Sequence, residues 1–134
     1  MEEIIVQIEA EVNSTEDETK VKRAVENMFS GLEFEIKALK RGSLLTAKAK
    51  GLEVLTKLYN LLRRERIRDA TRTVLFRGIS DRSITFYLNK QVAFAEHVSF
   101  CQPVGESPLG PIKVEIECAN PNEIIDWLAP RTAA

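Results

Sequence analysis

The chain has 134 residues, 44% hydrophobic and 29% charged, with a formal net charge of −1. Those figures describe one soluble globular domain, 1–134, large enough to bury roughly two-thirds of its unfolded surface. No apolar run approaches the ~20 residues of a bilayer span, and Met1 opens no signal-type segment, so a cytoplasmic protein without a membrane partner is expected.

Ile4, Val6, Ile8, Ala10 and Val12 alternate with mostly polar neighbours, the pattern of a half-buried strand. Thr15 and Glu18 are spaced as a capping box, with Ser14 and Asp17 as the other register. Val21, Ala24, Val25, Met28 and Phe29 then follow at helical spacing, and Gly31 is placed to end that helix in a left-handed cap. Leu32, Phe34, Ile36 and Ala38 alternate with Glu33, Glu35 and Lys37. After the turn Arg41-Gly42-Ser43, Leu45, Ala47 and Ala49 alternate with Thr46, Lys48 and Lys50, which predicts a hairpin.

From Gly51 the period becomes helical through Leu52, Leu55, Leu58, Tyr59 and Leu62. One straight helix would put Arg63 on its apolar side, so a break near Arg63-Arg64 is expected, with two helices in this region. Ser83 to Leu88 reads as a strand. Asn89 to Glu96 reads either as a short helix or as an irregular turn, and Val98 to Cys101 as a short strand. Gly105 to Pro111 is a loop by its prolines and glycines. Ile112, Val114, Ile116 and Cys118 mark the last strand, and Asn120-Pro121 starts a final helix that stops before Pro130.

Three strands share acidic outward positions: Glu9/Glu11, Glu33/Glu35 and Glu115/Glu117. The pattern predicts an α+β fold, a single domain with a largely antiparallel sheet, helices packed on one face and a negative wet face on the other.

Little of this points to catalysis. His97 is the single histidine, and no GxSxG, GxxxxGK[ST] or GxGxxG motif occurs. Cys101 and Cys118 lack metal-site spacing; two small buried thiols are expected, with one bridge between neighbouring strands as the alternative. No cofactor and no metal is expected, and the chain reads as a non-enzyme.

Charge distribution says more. Lys37 to Lys90 holds 14 basic residues against Glu53, Glu65, Asp69 and Asp81, leaving the excess acid at the two ends. Arg64, Arg68 and Arg72 recur every four residues and would form one stripe on a helix. Lys40, Arg41 and Lys48 on the hairpin, and Lys90, are candidates to extend it. Such a patch suits a polyanion, and arginine forks suit phosphate.

Arg63 to Ala70, then LFRGI (Leu75 to Ile79), ITFYLNKQ (Ile84 to Gln91), VSF (Val98 to Phe100) and GESPLGPI (Gly105 to Ile112), resemble a family of small archaeal proteins. The resemblance implies RNA binding, association with the archaeal exosome, and a fold similar to the ribosomal L-five protein. It implies no catalytic residues. RNA is therefore the expected partner, with exosome or ribosome-related proteins and a second copy as further ones. The expected contacts are the basic residues just named, with Gly105, Glu106, Ser107, Pro108 and Gly110 as a shaped loop. The competing reading is a docking or assembly subunit that never touches RNA.

Overall fold

Strand alternation decides the architecture. The computed structural model describes residues 3–102 and 110–131. Among them β1 (Ile5–Val12), β2 (Glu33–Ala38), β3 (Ser43–Lys50), β4 (Ile79–Ser80), β5 (Ser83–Asn89) and β6 (Pro111–Glu117) form one sheet in the order β2-β3-β1-β6-β5-β4. Every neighbouring pair is antiparallel. Val6, Ile8, Ala10 and Val12 of β1 are buried, as are Ile84, Phe86 and Leu88 of β5 and Ile112, Val114 and Ile116 of β6. These residues meet the helices in a single apolar core, so the expected α+β arrangement holds.

The opposite face carries the six expected glutamates, Glu9, Glu11, Glu33, Glu35, Glu115 and Glu117. Its charge needs correcting, because Lys37, Lys48, Lys50 and Lys113 occupy the same parity. Lys48 lies opposite both Gln7 and Glu33, and Lys113 opposite both Glu9 and Tyr87. Interleaved lysines make this a mixed surface rather than a uniformly negative one.

Helix boundaries follow their caps. α1 (Glu18–Met28) is capped by Asp17, whose carboxylate accepts from the Thr19 amide at 2.9 Å, so neither predicted capping box forms. Glu16 turns instead to Asn13, accepting from its backbone N–H at 3.0 Å and its side-chain amide at 2.8 Å. The helix stops at Phe29, which is buried and extended; Gly31 does adopt φ +69°, but two residues beyond the cap.

A 3-10 turn at Leu52–Leu55 leads into α2 (Thr56–Arg64), and α3 (Arg68–Arg77) follows the predicted break. The ambiguous stretch after β5 becomes α4 (Lys90–Phe94), capped by Asn89, which accepts from the Val92 amide at 3.0 Å. α5 (Pro121–Leu128) starts as expected at the Asn120 cap. The predicted strand at Val98 to Cys101 reduces to one bridge, Phe100 with Leu88, flanked by hydrogen bonds from Asn89 N to Ser99 O (2.9 Å) and Cys101 N to Tyr87 O (3.0 Å). With β4 at the other end, this segment closes much of the outer edge of β5.

Cys101 and Cys118 are not bridged. Cys118 is buried, and that burial pushes its thiol pKa up, as expected of an inert core cysteine.

Candidate nucleic-acid interface

The arginine stripe does not lie on one helix. α2 ends at Arg64, Arg66 takes φ +56°, and the helix restarts at Arg68. Backbone bonds from Arg66 N to Arg63 O (3.3 Å) and Ile67 N to Leu62 O (3.2 Å) close the corner. The reversal lets Ile67 pack against the core, where a straight helix would have carried Arg63 into it. Arg64 therefore projects from the end of one helix, while Arg68 and Arg72 belong to the next.

Arg63 has a different job. Its guanidinium lies 3.3 Å from the centroid of the Tyr59 ring, and that ring stacks on Trp127 at 4.6 Å. The fork donates to Tyr59 O (3.0 Å), Leu128 O (3.2 Å) and Trp127 O (3.2 Å). Two of these are terminal carbonyls of α5, which lack intrahelical donors and carry the negative end of the helix dipole. Arg72 closes the same helix end, donating to Ala129 O (3.3 Å) and pairing with Asp126 at 2.7 Å. Its side chain keeps only 17% of its exposure. Arg72 is thus bound into the fold at the position where the stripe expected a free cation.

Arg64, by contrast, is 60% exposed. It donates to Glu96 O at 2.7 Å and lies 3.7 Å from Glu65, leaving much of its fork open. Glu65 ties the corner to the segment after α4, accepting from Val98 N at 3.2 Å and meeting His97 Nδ1 at 3.4 Å. Arg66 is exposed and Arg68 half-buried, and neither forms an ion pair or side-chain hydrogen bond among the described residues. Arg66 was not among the expected contacts, although the run Arg63-Arg64-Glu65-Arg66-Ile67-Arg68 contains it. The corner assembles Arg64, Arg66 and Arg68 within five residues of chain.

The other expected cations scatter. Lys90 is 3% exposed; its ammonium donates to Glu11 O and to a Glu16 carboxylate oxygen at 2.9 Å, so it cannot reach a phosphate. Lys48 lies on the open sheet face beside Glu33, across the sheet from the helices. Lys40 and Arg41 are exposed at the β2–β3 turn. Glu65 ties the corner to the segment that bridges β5 at Leu88, and strands β2 and β5 are four spacings apart, about 19 Å, so that turn is a separate basic point and not an extension of the corner. Gly105, Glu106, Ser107 and Pro108 lie outside the described residues; Gly110 adopts φ +81° just before β6. Among the described residues, no cluster of three or more His, Cys, Asp or Glu is arranged to hold a metal.

Comparison with known proteins places these features in a family. A family model described as RNA binding matches residues 5–118. A UPF0201 protein of Sulfurisphaera tokodaii is 46% identical over 129 residues, covering 94% of this chain and 87% of that one. One from Pyrobaculum arsenaticum is 41% identical over 128 residues, covering 95% and 90%. The solved structure of a UPF0201 protein from Methanococcus jannaschii superposes with a TM-score of 0.82 at 35% identity, covering 97% of this chain and 96% of that one. The chain belongs to the UPF0201 family.

Proposed function

With membership of that family as the premise, we propose that the protein binds RNA by phosphate contacts at the α2–α3 corner. The observation that carries the reading is the corner itself: it brings Arg64, Arg66 and Arg68 within five residues of chain, with Arg66 and Arg68 making no ion pair among the described residues. A guanidinium keeps its charge at any physiological pH and donates two parallel hydrogen bonds to a phosphate. Lys40 and Arg41 supply a second contact farther along the backbone of a structured RNA. Recognition of this kind reads helix shape and 2′-OH groups with little sequence preference.

The open sheet is a poor base-stacking platform. Tyr87 is the one aromatic side chain that β1, β2, β3, β5 and β6 place on it, with Lys113 opposite and Glu115 diagonal to it, so no second ring is there to continue a stack. Under this proposal the protein acts as an accessory factor in RNA processing or degradation, alongside exosome or ribosome-related proteins in the cytoplasm.

One observation favours a second reading, docking to an acidic protein. Arg63, Arg72 and Lys90, three of the cations in the basic stretch, are engaged inside the fold. Salt separates the two readings, because counterion release makes RNA affinity fall steeply with ionic strength. Replacing Arg64, Arg66 and Arg68 with alanine should flatten the log K against log salt slope for a structured RNA by about two to three units. Wild-type protein showing no salt-dependent RNA binding at low ionic strength overturns the RNA reading and leaves docking.

A further inference from the structure

Among the described residues β2 is the uncovered edge of the sheet. At the opposite side, β4 and the Ser99 to Cys101 segment occupy the outer edge of β5. Ile36 on β2 is 46% exposed although its parity faces the helices, and Leu39 just beyond is also exposed. Natural edges are usually blunted by proline, bulges or inward charges. β2 has no proline, and it pairs with β3 residue for residue from Glu33 to Ala38.

The direction of its free backbone groups follows from the hairpin. Leu39 N–H donates to Gly42 O at 3.1 Å, so Leu39 points its backbone toward β3. By strict alternation Lys37, Glu35 and Glu33 do the same, whereas Phe34, Ile36 and Ala38 direct their N–H and C=O groups outward. A second antiparallel strand can bond only to those three.

We propose that β2 pairs with β2 of a second copy of this chain, in the register centred on Ile36. Ile36 then faces Ile36 of the other copy, Phe34 faces Ala38, and Glu35 faces Lys37. All three outward residues find outward partners, giving about six hydrogen bonds. The side-chain pairs Glu35–Lys37 fall at non-hydrogen-bonded positions, where side chains approach most closely.

Charge singles out this register. Sliding one step one way sets Glu35 against Glu35, offset in part by two Glu33–Lys37 pairs, and one step the other way sets Lys37 against Lys37, so of the three only the proposed register has no like-charge pair. Intermediate slips pair outward with inward backbone groups and lose the ladder. Within one copy Glu35 faces Thr46 and Lys37 faces Leu44, so neither charge has its cross-strand partner at home. The partner that supplies both the ladder and the opposite charges is another β2.

The test is sedimentation equilibrium over a micromolar concentration series, with native mass spectrometry of mixtures. Wild-type protein should dimerise. Glu35→Lys and Lys37→Glu each convert two attractive pairs into two repulsive ones and should weaken the dimer by about ten-fold or more. An equimolar mixture of the two variants should form a heterodimer of wild-type affinity, which also shows that both are folded. Ile36→Pro, which removes an outward N–H without touching the β3 ladder, should be monomeric. The proposal is overturned by a monomeric wild type, by single variants as tight as wild type, by a mixture no tighter than its components, or by a dimer that survives Ile36→Pro.

Discussion

Lys90→Met should be among the most damaging single changes in this protein, and without effect on RNA. The Lys90 side chain is 3% exposed and its Glu16 partner 11%. The ammonium donates to Glu11 O and to the Glu16 carboxylate. Methionine fills the volume but leaves a largely but not fully buried carboxylate and a backbone carbonyl without that donor. Removing one partner of a buried pair costs about 3–5 kcal/mol; the lower end applies here because Glu16 keeps both bonds from Asn13.

At a urea m-value of about 2 kcal/mol/M, a loss of about 3 kcal/mol lowers the unfolding midpoint by roughly 1.5 M. The pH dependence has a definite sign. Burial alone would push the Glu16 carboxyl up, but the Asn13 amide, the Lys90 ammonium and the Asn13 side chain together outweigh it and hold the pKa below its ordinary value. A group lowered on folding contributes stability above its unfolded pKa and loses it as pH falls through the folded one. In Lys90→Met that lowering is reduced and burial remains, so the gap to wild type is widest near neutrality and narrows in acid. A midpoint within 0.3 M of wild type, about 0.6 kcal/mol, or a gap that widens in acid, refutes the reasoning.

Arg63→Ala should destabilise by about 2–4 kcal/mol, because it removes three donors and the cation over Tyr59. Arg63→Lys should restore under half of that, since one ammonium cannot span the three carbonyls. Denaturant melts showing Arg63→Ala as stable as Arg64→Ala would contradict this division of labour. Gly78→Ala should cost about 1–3 kcal/mol, because the added methyl would collide with the Thr85 carbonyl oxygen where Thr85 N–H donates to Gly78 O at 2.9 Å. A thermal melt of Gly78→Ala matching wild type would show that β5 can move aside.

The sequence by itself determined the sheet. Side chains on a strand alternate whatever lies nearby, so Val6 to Val12, Ile84 to Leu88 and Ile112 to Ile116 announced both the strands and their buried side. Asn120-Pro121 announced a helix start for the same local reason, and Arg63 on an apolar side announced the break between α2 and α3. Charge was legible as a total for the stretch, not residue by residue. Whether a cation is free depends on what the fold brings to it. Leu128, whose carbonyl Arg63 holds, is 65 residues away in sequence, and Glu11, whose carbonyl Lys90 holds, is 79 away. Arg64 and Arg72 looked equivalent because periodicity encodes direction around one helix axis. The turn at Arg66 gave them different axes, and the C-terminus of α5 took one of them. A hydrogen bond or close ion pair needs its partner within about 3–4 Å, so only tertiary structure could decide which arginines remained for a ligand.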